Sequence, residues 1–341
     1  MSRALLTRKL SASLLLFVVC ALSPPAAGAQ EKGKKKAAPR GTPVLWRAPR
    51  NVERLDLLAG PGGAGGRPDL RRVTFVKEQE GGYSPKFRVR DARGREWVAK
   101  LGSEAQSETA AVRLLWAAGY MTEVNYLAPC VRIEGAPVPR KEVERCRGGG
   151  FANVRFEARP DGVERLDEWK WKENPFAGTR ELQGLKIMMA LFNNWDIKDS
   201  NNIVLYVPAG RRGRPGELRY AISDLGATFG KTGGLPLFWR ITRSRNNPED
   251  YEKSEFIEEV DDGKVDFKYG GKNRGLFDDV TVADARWLGG WLARLSDRQI
   301  SDAFRAANYA PDEVRGLAAA VRRRVNELNR LPRAGREARR R

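Results

Sequence analysis

Apolar and polar positions alternate in three short runs early in the chain. Val73-Thr74-Phe75-Val76, Lys86-Phe87-Arg88-Val89-Arg90 and Glu96-Trp97-Val98-Ala99-Lys100-Leu101 each read as a strand, because successive side chains on a strand face opposite sides. Gly81-Gly82 and Asp91-Ala92-Arg93-Gly94 supply the turns, so the three form an antiparallel meander. The period then lengthens. Ala110, Leu114 and Leu115 fall at helical spacing after Ser103, a candidate N-cap, and Gly119 ends the segment. Residues 130–133 and 153–158 read as two further strands. After Pro160, residues 182–192 read as a buried helix, followed by a polar loop at 193–202 and strands at 203–206 and 218–222. A hairpin is expected around 265–269. Residues 282–295, 297–307 and 311–331 read as helices, the last with Val314, Leu317, Val321 and Val325 on one face. The pattern predicts an α+β chain: a small antiparallel sheet with one helix at 71–160, then a mainly helical part at 161–331.

The ends of the chain differ from this body. Arg3, Arg8 and Lys9 precede an apolar run at 13–22, and Ala27-Gly28-Ala29 reads as a small-residue cleavage site. Residues 1–29 therefore read as a secretory signal peptide, and the mature protein is expected in the periplasm or outside the cell. The apolar run is shorter than the roughly 20 residues a membrane span needs, and no later segment could span one. Residues 30–70, rich in Lys, Pro and Gly, read as a disordered or weakly ordered linker with one short element around 52–58, and 332–341 as a basic tail.

Export changes the reading of the cysteines. Cys20 leaves with the signal, and Cys130 and Cys146 remain, either as a disulfide or as two independent thiols. The chain has no histidine, which excludes Ser-His-Asp and Cys-His nucleophile systems, histidine acid–base catalysis and His-ligated zinc. Chemistry here must use carboxylates, lysines or a metal with oxygen ligands. The formal net charge is +19, of which +3 lies in the signal segment, +6 in residues 30–50 and +5 in residues 330–341. The remaining +5 in the body argues against a basic folded face and against nucleic acid as a partner. Lys34-Lys35-Lys36 and Arg339-Arg340-Arg341 could touch an anionic envelope polymer, with solvated tails as the plainer reading.

Four features carry candidate chemistry. Val98-Ala99-Lys100 ends a strand with a lysine able to present its ammonium to phosphate. Glu108, or Glu104 one turn earlier, lies in the following helix and can hold Lys100. In Asn194-Trp195-Asp196-Ile197-Lys198-Asp199-Ser200-Asn201, Asp196 can accept a proton from an attacking hydroxyl. Lys198 can neutralise phosphoryl charge, and Asn201 offers an oxygen to a hard cation. Tyr220-Ala221-Ile222-Ser223-Asp224-Leu225-Gly226 is an apolar strand ending in a second, charged metal ligand, Asp224, before a glycine.

In this order and context the four resemble the protein-kinase signature set, over residues 73–230, with a flavour of the atypical secreted and lipid-kinase-like branches. The resemblance implies a two-lobed kinase-like fold, with Asp196 and Lys198 catalytic, Lys100 and Glu108 at the nucleotide, and Asn201 and Asp224 on Mg²⁺ or Mn²⁺ with ATP. Asn194 and Trp195 stand where the family has His and Arg, which disfavours activation by a phosphorylated loop. Glu80-Gly81-Gly82-Tyr83-Ser84 is a poor version of the glycine-rich loop, and no Ala-Pro-Glu element follows Gly226. The expectation is an exported phosphotransferase acting on a hydroxyl of a protein, lipid or carbohydrate. Nucleotidyl transfer is not excluded, and an exported pseudokinase or scaffold is the alternative. Trp169, Trp171 and Phe176 could line an acceptor groove, although aromatics at such spacing more often belong to a core.

Overall fold

A computed structural model describes residues 39–210, 215–233 and 242–332. The segment read as a signal peptide and all but the first residue of the basic tail lie outside the described residues. The strands are β1 (Gly41–Val44), β2 (Thr74–Gln79), β3 (Lys86–Arg90), β4 (Glu96–Lys100), β5 (Asn125–Val131), β6 (Phe151–Ala158), β7 (Glu164–Arg165), β8 (Asn202–Val207), β9 (Gly216–Ile222), β10 (Ile257–Asp261) and β11 (Lys264–Phe267). The α-helices are α1 (Glu104–Ala117), α2 (Arg180–Leu191), α3 (Pro248–Lys253), α4 (Val282–Leu292), α5 (Asp297–Arg305) and α6 (Pro311–Arg330).

The fold is the expected α+β arrangement of two lobes. The small lobe is a five-stranded sheet in the order β2-β3-β4-β6-β5 with all pairs antiparallel, joined by α1. One face of this sheet is apolar. Phe87, Val89, Trp97, Ala99, Val154 and Phe156 pack there, each no more than 2% exposed. The alternation that buries them turns Lys86, Lys100 and Arg155 to the other face, where the register aligns them in one row across three strands. Three cations in a row are tolerated only if carboxylates reach them, which fixes what α1 and the large lobe must bring.

The large lobe packs α2 to α6 around the main core, and the sheet β1-β9-β8-β7 lies beside it. Trp169 and Trp171 are buried in that core at 3% and 4% exposure, so they do not line a groove. Thr281 and Ser296 cap α4 and α5 with capping boxes. Ser103 precedes α1 but makes no side-chain cap. Strand β5 starts five residues before the expected 130–133. It is an edge strand and so accommodates Pro129, which had masked the pattern. Cys130 and Cys146 are joined by a disulfide. No described helix is long and apolar enough to cross a membrane.

The linker expectation for 30–70 does not hold over the described residues 39–70. Strand β1 pairs in parallel with β9, with Pro43 tolerated because β1 is an edge. Trp46 donates to the Ala118 carbonyl at 2.7 Å and packs on Trp287 and Trp291. Gln299 on α5 donates to the carbonyls of Val52 (2.7 Å) and Leu55 (3.0 Å), and Leu57 is fully buried. Two of the glycines here, Gly62 and Gly66, serve close approach. The Tyr126 hydroxyl donates to the Gly63 carbonyl at 2.8 Å, and a Cβ on Gly62 or Gly66 would lie 2.1 or 2.2 Å from that hydroxyl. The segment is thus a strap laid over both lobes.

Candidate functional site

Lys100 stands at the meeting point of the two lobes. Its ammonium, 1% exposed, lies 2.7 Å from Glu108, 3.1 Å from Glu104 and 3.2 Å from Asp224. Glu104 and Glu108 are one turn apart on α1, so both face the lysine. Each carboxylate has a second cation. Arg155 reaches Glu108 at 3.0 Å, and Arg245, from the segment after Asp224, pairs with Glu104. Ser84, at the end of the Gly81-Gly82 turn, also donates to Glu104 at 2.7 Å. Glu104 and Glu108 therefore share the role of Lys100 partner, with Glu108 the closer. Burial disfavours the Lys100 charge, but Glu108, Asp224 and Glu104 outweigh it and hold the ammonium protonated well above the usual lysine range.

Asp224 lies two residues after the end of β9. Burial would raise its carboxyl, yet the Lys100 charge and the Gly226 N–H, which donates at 3.0 Å, hold it far below the ordinary carboxylate value. It is ionised at any physiological pH. Gly226 is required for space: a Cβ there would come within 2.7 Å of the Glu104 side chain. Asn201 is fastened beside Asp224 through the backbone, since its carbonyl accepts N–H from Ser223 (2.7 Å) and Asp224 (3.2 Å). Its amide Nδ2 donates to the Asp196 carbonyl at 2.7 Å. That bond fixes the amide and leaves Oδ1 as the free acceptor. Among the described residues no hydrogen bond engages Asn201 Oδ1 or Asp224 Oδ2. No group of three or more His, Cys, Asp or Glu side chains is gathered for a metal there. The two oxygens suit a divalent cation that takes its remaining ligands from phosphate and water, as Mg²⁺ does.

Asp196 sits between two lysines, Lys272 at 2.5 Å and Lys198 at 3.0 Å. Burial pushes its carboxyl up, but hydrogen bonds from Lys272 and Lys198 prevail and leave it below the usual value. The loop that carries it is braced from 269–273. The Tyr269 hydroxyl donates to the Asn194 carbonyl (2.7 Å), Lys272 N to the Trp195 carbonyl (2.9 Å) and Asn273 Nδ2 to the Ile197 carbonyl (2.9 Å). Arg324 of α6, fully buried, holds the end of α2 through Leu191 O (2.7 Å) and Asn193 Oδ1 (2.9 Å). These contacts hold the Asp196 loop from residues outside it.

The structure brings Lys100, Glu108 and Asp224 into contact, ties Asn201 to Asp224, and sets Lys198 on Asp196. Sequence reasoning missed Lys86, Arg155, Arg245 and Lys272. Lys86 had a signal: the alternation in β3 puts it on the Lys100 face, and the register sets it opposite Lys100. Its ammonium makes no ion pair or hydrogen bond among the described residues. Burial first, then the Lys100 charge, lowers its pKa. An unpaired cation within the field of Lys100 and Asp224 is suited to a phosphate oxygen. Arg245 lies over both Tyr83 (4.1 Å) and Trp195 (4.7 Å), joining the hairpin tip to the Asp196 loop.

The arrangement gathers two lysines, Lys86 and Lys100, near the carboxylate of Asp224, with the Asn201 amide tied to that strand end and a second carboxylate, Asp196, held between Lys198 and Lys272. No family model and no curated protein matches the chain. Among solved structures it is similar to the Helicobacter pylori proinflammatory kinase CtkA, at 11% identity over 77% of this chain and 96% of that one, with a TM-score of 0.43. It is also similar to the Rio2 kinase–ADP/Mg²⁺–phosphoaspartate complex from Chaetomium thermophilum, at 10% identity over 77% and 74%, with a TM-score of 0.31. At those values the site is read from its own geometry.

Proposed function

We propose that the chain is an ATP-dependent phosphotransferase of kinase-like type that passes a phosphoryl group to a hydroxyl acceptor. The observation that carries this reading is the junction of Lys100, Glu108 and Asp224, with Asn201 hydrogen-bonded to the Asp224 backbone. Asp224 and Asn201 would hold Mg²⁺ or Mn²⁺, which when bound supplies positive charge to the phosphate oxygens. Lys100 and Lys86 face the same phosphates. Asp196 orients the acceptor hydroxyl and takes its proton as the new O–P bond forms and the bond from the terminal phosphorus to the bridging oxygen breaks, with ADP leaving, and Lys198 stabilises the charge on the transferred group. Such a site works mainly by positioning and electrostatics, so a weakly basic Asp196 is adequate. The disulfide supports an oxidising compartment and hence export.

Thermal shift with ATP and Mg²⁺ or Mn²⁺ tests the nucleotide site. Stabilisation that vanishes in Asp224→Ala is expected, and no stabilisation with either metal removes the reading. A second reading, an exported binding module without catalysis, is favoured by the two lysines that occupy Asp196. Transfer of labelled phosphate separates the two: loss of transfer in Asp196→Ala supports the enzyme, and no transfer by the parent protein supports the module.

A further inference from the structure

The positive charge of the folded body is not spread evenly. Residues 71–160 hold 17 Lys and Arg against 11 Asp and Glu, a net of +6, whereas residues 161–331 hold 28 against 27, a net of +1. The small-lobe surplus converges on a groove of about 1100 Å³ along the β3–β4 hairpin and the chain that leaves β6. Arg88, Arg90, Arg93, Arg95 and Arg159 line it, against only Glu96 and Asp161. Arg95 pairs with Asp91 at 3.1 Å and Arg159 with Glu157, and the carboxylates left for the other arginines are shared. Glu96 serves both Arg88 (3.6 Å) and Arg90 (3.2 Å), and Asp69 serves both Arg71 (2.6 Å) and Arg93 (3.6 Å). Four guanidiniums are thus answered by two carboxylates, and the side chains of Arg90 and Arg93 remain 53% and 55% exposed.

The groove does not stop at the hairpin. Arg88, Ala158, Arg159 and Pro160 also line a second cavity of about 660 Å³ at the lobe junction, where Arg165 and Arg219 add guanidiniums paired with Glu123 and Glu217 and where Glu164 also lies. A trench with repeated guanidiniums matches a ligand with repeated anionic groups, and planar forks match phosphate oxygens in pairs. The ligand has no need of bases. The one aromatic ring in the first cavity, Trp97, is 2% exposed beneath Arg95 and offers no stacking surface, unlike the stacking platforms of single-strand binders.

We propose that this trench binds a linear, base-free polyphosphate chain, independently of any phosphotransfer. The probe is medium-chain inorganic polyphosphate, labelled at one end and titrated with the full mature chain in a fluorescence anisotropy assay. The double variant Arg90→Glu/Arg93→Glu is expected to weaken binding by about tenfold or more and to flatten its salt dependence, because fewer counterions are released. The tail variant Lys34→Glu/Lys35→Glu/Lys36→Glu is expected to bind within about twofold of the parent on the same ground. Arg90→Gln/Arg93→Gln, which removes charge without reversing it, should fall between, and a melting curve of each variant establishes that it is folded. Loss of binding in the tail variant with retention in the groove variant overturns the proposal. So does tighter binding of an oligo-dT of equal charge, which would assign the surface to nucleic acid, or the absence of saturable binding at low salt.

Discussion

Glu108→Gln is the sharpest probe of the lobe junction. Glu108 is 1% exposed and answers two cations, Lys100 at 2.7 Å and Arg155 at 3.0 Å. Breaking a buried ion pair from one side typically costs about 3–5 kcal/mol. Neither cation is left alone, however. Lys100 keeps Glu104 and Asp224, and Arg155 keeps Glu157 at 2.6 Å. The cost should therefore lie at the lower end, about 3 kcal/mol, or a fall in melting temperature of about 6 °C at about 2 °C per kcal/mol. Calorimetry on Glu108→Gln, Lys100→Met and the double variant gives the coupling energy, expected at about 2 kcal/mol. Glu104→Gln should cost less, since Arg245 is partly exposed and Ser84 rather than a second buried cation completes the set. If Glu108→Gln melts within about 1 °C of the parent while Glu104→Gln loses most of the stability, the assignment of Glu108 as principal partner is wrong.

Three further outcomes are expected. Arg71 holds Asp69 down to about 2, and Asp91, Asp196 and Asp224 are also lowered. A carboxyl with a folded pKa below its unfolded value stabilises fully above that unfolded value and stops doing so as pH falls through the folded one. Melting temperature should therefore decline from about pH 4 toward pH 2, and a flat profile would contradict it. Reduction of Cys130–Cys146, or Cys130→Ser/Cys146→Ser, reopens a loop of 16 residues and should cost about 3 kcal/mol in urea unfolding. Arg324→Met strands Asn193 Oδ1, while the Leu191 carbonyl keeps the Tyr251 hydroxyl and the Ser254 hydroxyl keeps Asn193 Nδ2 and the Tyr251 carbonyl, and should lower the urea midpoint by the equivalent of about 2 kcal/mol. An unchanged midpoint would show that water replaces the guanidinium.

What could be read from the sequence followed its local patterns. Strand β3 has the bounds its alternation predicts, and Lys100 and Asp224 lie at or just after strand ends, so their neighbourhoods were legible. Partners distant in the chain were not. Arg245 meets Glu104 across 141 residues and Lys272 meets Asp196 across 76, and no local period marks either. Composition misled for residues 39–70, because glycine and proline suggest a linker unless the Tyr126 hydroxyl and the open edge of β9 are known. Charge summed over the body concealed the basic trench, since the lobes differ in balance while the total is modest.

The pairing of Gly41–Val44 with Gly216–Arg219 bears on the order in which the protein can assemble. Strands β8 and β9 form a hairpin from neighbouring sequence, but β1 must wait until some 170 residues more have been made, and closing so long a loop is entropically costly. Until then β1 has no edge to pair with. A chain interrupted before residue 216 cannot seat residues 41–44 there, whereas a completed chain gains a strap that joins them to the strand before Asp224. Formation of that contact would therefore report completion of the large-lobe sheet, and its slow appearance in refolding would be set by chain topology rather than by the chemistry of the site.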